Sequence, residues 1–212
     1  MKNRCSTIFK ITFLTLFSIF FTGHAFAQSE EAPQYMYVCN QGSASVTVID
    51  ASNNEISETI DLQELGFSAN AKPHHTIADP DGSHWYVTLI GENRVLKFNR
   101  NNELVDEATL EVPGLMTMNS EEDLLYVGRS MSAVNPPQSF GVVKRTEMDV
   151  LDEVGLFFTR PHAIATSPDG KWIYVGSLSE NQILAMNTET EESNITNIPG
   201  GYAHVRQFRD LT

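Results

Sequence analysis

The chain has 212 residues, with 27 acidic side chains against 14 basic ones and a formal net charge of −13. That acidity repels nucleic acid and anionic membrane surfaces, so neither is expected as a partner. Two cysteines, one of them at position 5, leave no basis for a disulfide-stapled fold.

Residues 1–27 have the pattern of a secretion signal. Lys2 and Arg4 open it, residues 8–21 are mostly apolar around Lys10, and Ala25-Phe26-Ala27 offers a small-x-small cleavage site. The apolar run is short for a membrane span. The expectation is cleavage, release to the periplasm or the exterior, and no stable membrane anchor. Removal of Lys2, Arg4 and Lys10 would leave 11 basic against 27 acidic side chains. Cys39 would be the only thiol, expected as a small buried hydrophobe in a strand.

From residue 35 the chain repeats. Tyr37-Val38, Tyr86-Val87, Tyr126-Val127 and Tyr174-Val175 each close a short apolar run, at intervals of 49, 40 and 48 residues. Repeats of that length are the mark of stacked or radial architectures. The unit at 160–199 is the clearest. It opens on Arg160-Pro161-His162, turns at Ser167-Pro168-Asp169-Gly170, and continues through Trp172-Ile173-Tyr174-Val175 and Ile183-Leu184-Ala185-Met186. The unit at 72–112 matches it with Lys72-Pro73-His74-His75 and Asp79-Pro80-Asp81-Gly82, in register at an offset of 88. Proline and glycine suit a tight turn there. The unit at 113–158 is degenerate, with Asn119-Ser120-Glu121-Glu122 at the turn and extra residues at 131–138. The first unit, 35–62, lacks a first strand.

Four short strands per unit, rich in β-branched and aromatic residues, predict antiparallel four-stranded sheets. Such sheets protect their faces by radial stacking, so the predicted fold is an all-β propeller occupying residues 28–212. A further strand is expected to start within 202–212. The count admits two arrangements: a partial ring, which is favoured, or a closed four-bladed ring with the last strand as clasp. An incomplete ring would leave a sheet face open to self-association.

Tyr37-Val38-Cys39-Asn40 with Ser45-Val46-Thr47-Val48-Ile49-Asp50 resembles the YVTN-type β-propeller repeat, with Cys39 where the family's name has threonine. Residues 161–170 are similar to the opening of a blade in that family. The resemblance covers most of 35–199 and implies fold rather than activity. The superfamily it points to includes lactonases of the 6-phosphogluconolactone type, the haem-d1 domain of nitrite reductase and the copper propeller of nitrous-oxide reductase.

On a propeller frame, the loop before the inner strand and the loop between the second and third strands share one face. This gathers His74, His75, His162 and His204 around one mouth, with Glu92, Asn93, Arg94, Arg129 and Asn181 beside them. A concave mouth with converging polar groups is the default ligand site. The expected function is an exported binding or scaffold module for a small molecule or protein. One alternative is a lactonase-type hydrolase using Glu92, Arg94, His75 or His162 for water activation and oxyanion stabilisation. Another is a periplasmic redox protein with copper, zinc or haem, for which His75, His162 and His204 are the metal candidates. No cofactor is predicted, no metal ligand is assigned, and no Cys-x-x-Cys-His motif for covalent haem occurs. A histidine at the start of an inner strand also has a structural use, bonding a neighbouring blade's backbone. His84, beside the turn, is expected to be solvent-exposed on the opposite face.

Overall fold

Two turns of similar sequence have the same geometry. In Asp79-Pro80-Asp81-Gly82 and Ser167-Pro168-Asp169-Gly170 the glycine amide donates to the first residue's carbonyl, at 2.8 and 2.9 Å. Gly82 and Gly170 sit at φ +66° and +71°, a region that glycine reaches without the strain a Cβ brings. The central aspartates accept the amide two residues on, Ser83 N at 2.9 Å and Lys171 N at 3.2 Å. These turns reverse the chain between the first and second strands of their sheets.

The computed structural model describes residues 34–119, 121–129, 132 and 134–200. The signal segment, the strand expected within 202–212 and His204 lie outside the described residues. All regular structure among the described residues is β. Sheet one holds β1 (Tyr35–Asn40), β2 (Ser45–Asp50) and β3 (Glu55–Asp61). Sheet two holds β4 (Pro73–Ala78), β5 (His84–Leu89), β6 (Arg94–Asn99) and β7 (Leu104–Thr109). Sheet three holds β8 (Met116–Asn119), β9 (Leu124–Gly128), β10 (Ser139–Lys144) and β11 (Asp149–Gly155). Sheet four holds β12 (Pro161–Thr166), β13 (Trp172–Ser177), β14 (Gln182–Asn187) and β15 (Ser193–Asn197). Each is an antiparallel meander in chain order. No described helix is long and apolar enough to cross a membrane.

Strand alternation sends successive side chains to opposite neighbours. On β5, Trp85, Val87 and Leu89 join a core with Val46, Val48 and Ile60 of sheet one, whereas Tyr86 joins Leu125 and Val127 of sheet three. On β9, Tyr126 turns the other way and packs with Ile173 and Val175 of sheet four. Three cores therefore lie between four sheets. Rings thicken the first: Tyr37 stacks on Trp85 at 4.4 Å and Trp85 on Phe98 at 4.3 Å. Each fully buried Leu, Val or Phe contributes about 1.5–3 kcal/mol. Cys39 packs against the same core, and burial pushes its thiol up to about 12.

Hydrogen bonds tie the inner strands of successive sheets together. Thr76 Oγ1 on β4 donates to Tyr37 O on β1 at 3.2 Å, and Thr117 Oγ1 on β8 accepts Thr166 N of β12 at 3.1 Å. Between β4 and β8 the tie is His75, described below. This is the radial blade arrangement of a β-propeller, as the repeat predicts. The ring is not closed: among the described residues sheet four makes no comparable contact with sheet one.

Candidate functional site

The inner strands β4 and β12 begin alike. Lys72 and Arg160 hold φ +52° and +55° and each precedes a proline. Their carbonyls accept Ile90 N at 3.2 Å and Leu178 N at 2.9 Å. The loop before the inner strand and the loop after the second strand thus share one face in both sheets. His74 and His162 follow at matched positions. Sheets two and four are not neighbours, yet these two rings lie 6.1 Å apart, tilted by 43°. The histidine-bearing edges converge on one axis.

The two imidazoles of β4 are held differently. His75 Nδ1 accepts the backbone amide of Met116 at 3.2 Å, which is the structural use of a histidine against the next blade. A backbone N–H can only donate, so neutral His75 carries its proton on Nε2. Burial first, then the neighbouring His74 and His162, lowers its pKa to about 4. It is therefore neutral at pH 7. His74 Nδ1 lies 2.8 Å from Gln41 Nε2, on the turn between β1 and β2. With that amide donating, His74 too carries its proton on Nε2. That nitrogen is buried and has no hydrogen-bond partner among the described residues. Burial also lowers the His74 pKa, which keeps the ring neutral.

This tautomer pattern bears on metal binding. A ligating imidazole offers one lone pair to the metal and donates its other N–H to a partner. His75 does the reverse, accepting at Nδ1 and protonated at Nε2, so neither of its nitrogens has a lone pair to offer. Among the described residues no group of three or more His, Cys, Asp or Glu side chains is placed to hold a metal ion.

The other candidates are engaged in the scaffold. Glu92 Oε1 accepts Ser68 N at 2.9 Å, and bonds from Ser68 hold its carboxyl below the usual range. Glu180, 88 residues on, accepts Thr159 N at 3.1 Å in the same way. Both glutamates secure the loop that leads to an inner strand. Asn93, at φ +55°, accepts Val112 N with Oδ1 at 2.9 Å, and Asn181 donates to Gly200 O at 2.8 Å. Those two fasten the loop leaving the fourth strand. Arg94 pairs with Glu107 at 3.2 Å on the neighbouring strand. Arg129 is buried and donates to Glu111 O, Glu111 Oε2, Ser139 and Glu153. These bonds brace the end of the second unit against the third. The inserted segment borders the mouth, because Pro137 O accepts Arg160 N at 2.9 Å.

The turn face carries a second polar constellation, invisible in the repeat pattern. A cleft of about 420 Å³ between sheets two and three is lined by Asp79, His84, Tyr86, Lys97, Asp123 and Arg145, among others. Arg145, from sheet three's β10–β11 turn, pairs with Asp79 and with Asp123 Oδ1 at 3.2 Å. Lys97 Nζ fixes that turn by donating to Arg145 O at 2.7 Å. Contrary to the expected exposure, His84 is half-buried and its Nδ1 lies 3.3 Å from Asp79 Oδ2. The turn bends the ring back over the aspartate that opens it.

No family model and no curated protein sequence matches the chain. Its structure is similar to virginiamycin B lyase from Staphylococcus aureus, solved as a catalytically inactive histidine-to-alanine form with quinupristin. That match has a TM-score of 0.67 and 16% identity, and covers 83% of this chain and 56% of that one. A streptogramin B lyase matches with a TM-score of 0.64 and 14% identity, covering 79% and 52%. Hydrazine synthase from Kuenenia stuttgartiensis matches with a TM-score of 0.65 and 16% identity, covering 77% and 46%. At these identities the likeness speaks for the propeller fold alone. The chain spans about half the length of the solved propellers it matches.

Proposed function

We propose that the chain is an exported propeller of the YVTN type that binds a small molecule through an acceptor oxygen, a carboxylate or carbonyl, at the inner-strand histidines. The observation that carries this reading is His74 Nε2, a buried ring nitrogen beside the His162 ring with no partner among the described residues. A buried donor without an acceptor costs about 1–3 kcal/mol of desolvation, which a ligand oxygen would relieve. Both His74 and His75 are neutral N–H donors in the tautomers described. Such a set suits an oxygen acceptor and suits a metal ion poorly. Lys72 and Arg160 at the heads of the same strands add positive charge to an otherwise acidic protein.

The test is calorimetric titration of the purified protein with a panel of small carboxylates, esters and lactones. Binding by at least one member is expected, weakened tenfold or more in His74→Ala and unchanged in His84→Ala. A panel that shows no heat at millimolar concentration, or equal affinity in His74→Ala, would sink the reading.

A second reading is catalysis on an ester or lactone. What favours it is that a similar propeller, virginiamycin B lyase, is inactive in its histidine-to-alanine form. The base would then be a neutral inner-strand histidine, because Glu92 is committed to the Ser68 amide. Turnover of a panel member, lost in His162→Ala with binding retained, would promote this reading over simple binding.

A further inference from the structure

In sheets one, two and four the chain turns onto the mouth face directly after the Tyr-Val strand, and sheet one differs there in chemistry. Four residues beyond the tyrosine stand Ile90 in sheet two and Leu178 in sheet four. Both donate their backbone amides to the head of an inner strand, Ile90 N to Lys72 O at 3.2 Å and Leu178 N to Arg160 O at 2.9 Å. Sheet one has Gln41 at that place. Its Nε2 lies 2.8 Å from His74 Nδ1, on the inner strand of the next sheet. Where the other two sheets have an apolar side chain, this one has a hydrogen-bonding group on the ligand-facing histidine.

The turn that carries Gln41 is braced. Asn40 Nδ2 donates to Ser45 Oγ at 3.1 Å and to Thr47 Oγ1 at 2.8 Å, and Ser43 N donates to Asn40 O at 3.2 Å. Gln41 itself is exposed, so its side chain fills no core. A primary amide can offer a ring nitrogen either its N–H or its C=O, and the end it offers fixes the neutral ring's tautomer. With N–H given to Nδ1, the proton sits on Nε2, the buried atom without a partner among the described residues. With C=O given instead, Nε2 would carry a lone pair and the mouth would take a donor. His75 is held in its tautomer by the Met116 backbone amide, which no change of side chain alters. His74 is held by a side chain, so one substitution reaches it.

We infer that Gln41 is the positioning residue that sets the His74 tautomer and so makes the mouth selective for an acceptor oxygen over a donor or a metal ion. For its ligand the inference rests on the binding reading above; for its mechanism it rests on the Gln41–His74 contact alone. A glutamate at 41 could only accept. Nδ1 would then carry the proton, and Nε2 would aim a lone pair at the oxygen it otherwise binds. That is how a metal-ligating histidine is set, with one N–H on a carboxylate and a lone pair outward. In a chain with 27 acidic residues, an amide at this place keeps the ring a donor.

Long-range nitrogen–proton spectra of the full chain test this without any ligand, at about pH 8.5, where the rings stay neutral. The His74 signals are identified by their loss in His74→Phe. Wild type and Gln41→Lys, whose ammonium only donates, are expected in the Nε2–H form. Gln41→Glu, whose carboxylate only accepts, is expected in the Nδ1–H form. Calorimetry with γ-butyrolactone, a neutral molecule whose oxygens only accept, reads the consequence. Affinity should fall about tenfold or more in Gln41→Glu and hold within about threefold in Gln41→Lys, with circular dichroism unchanged. An Nδ1–H ring in the wild type, or a tautomer indifferent to residue 41, would overturn the inference. Lactone affinity equal in Gln41→Glu and wild type would do the same. A tautomer that follows residue 41, with no heat from any member of the carboxylate, ester and lactone panel, would sink the binding reading and uphold Gln41's hold on the ring.

Discussion

The histidine mouth and the charged cleft on the turn face are both polar, both half-buried and both shared between sheets, yet they are built on opposite terms. In the cleft the carboxylates are spoken for. Asp79 meets Arg145, Ser83 and His84, and Asp123 meets Arg145, Thr146 and Lys144. Arg145 Nε has no partner among the described residues, but the guanidinium's charge is answered by two aspartates. At the mouth, His75 Nδ1 has its donor, whereas among the described residues His74 Nε2 has no acceptor. Polarity and burial therefore do not separate a structural site from a binding site in this molecule. Satisfaction does.

That contrast breaks most visibly at Arg145. Arg145→Ala leaves Asp79 buried without its counter-charge, and loss of one partner of a buried pair costs about 3–5 kcal/mol. Urea unfolding should show that loss, while ligand affinity of the folded fraction stays the same. A change under 1 kcal/mol, on the same scale as exposed ion pairs, would mean that the network is ornamental.

Gly91 connects the scaffold to the mouth and gives the next effect. A Cβ there would lie 1.7 Å from Asn70 O, in the loop that leads to Lys72 and His74. Because the clash is with backbone, Gly91→Ala must push the loop aside, at about 1–3 kcal/mol. Ligand binding should weaken together with stability. Retained affinity would show that the loop does not position His74.

Acid sharpens the contrast further. The folded pKa of His75, about 4, lies below its unfolded value, so the unfolded chain takes up the proton first. Its contribution to stability is present above the unfolded pKa and is lost as pH falls towards 4, by about 3 kcal/mol. His75→Gln, which keeps an acceptor for the Met116 amide, should flatten that part of the profile. An unaltered slope would assign the acid sensitivity to the carboxylates.

The smallest effect on stability should accompany the largest on binding. His74→Phe removes an unsatisfied nitrogen, so stability should stay within about 1 kcal/mol of wild type or rise. Ligand affinity should drop tenfold or more. A loss of stability well beyond that range would class His74 with the cleft.

Much of the fold was legible because its signals are local. Pro-Asp-Gly turns, Tyr-Val alternation and the 88-residue register between Lys72-Pro73-His74 and Arg160-Pro161-His162 all act within a strand or a turn. The convergence of His74 and His162 followed from the radial frame. The roles of the surrounding polar residues did not. Glu92 looked like a base, and only its match to Glu180 at the same offset as Asn93 and Asn181 marked it as a loop fastener. The Asp79–Arg145 pair left no repeat signal at all. Asp79 is a serine in the matching turn, Ser167, and Arg145 lies in the unit whose turn had already diverged. A contact made once, between sheets, leaves no periodic trace.

The protonation state of the inner histidines is the point on which binding chemistry, tautomer and geometry all meet. Long-range nitrogen–proton correlation spectra of the imidazole rings read it directly. The expected spectrum shows His75 as the neutral Nε2–H form at pH 7, titrating near pH 4, with its proton signal lost in His75→Gln. An Nδ1–H form would contradict the assignment, because the Met116 amide could not then be donating to that ring.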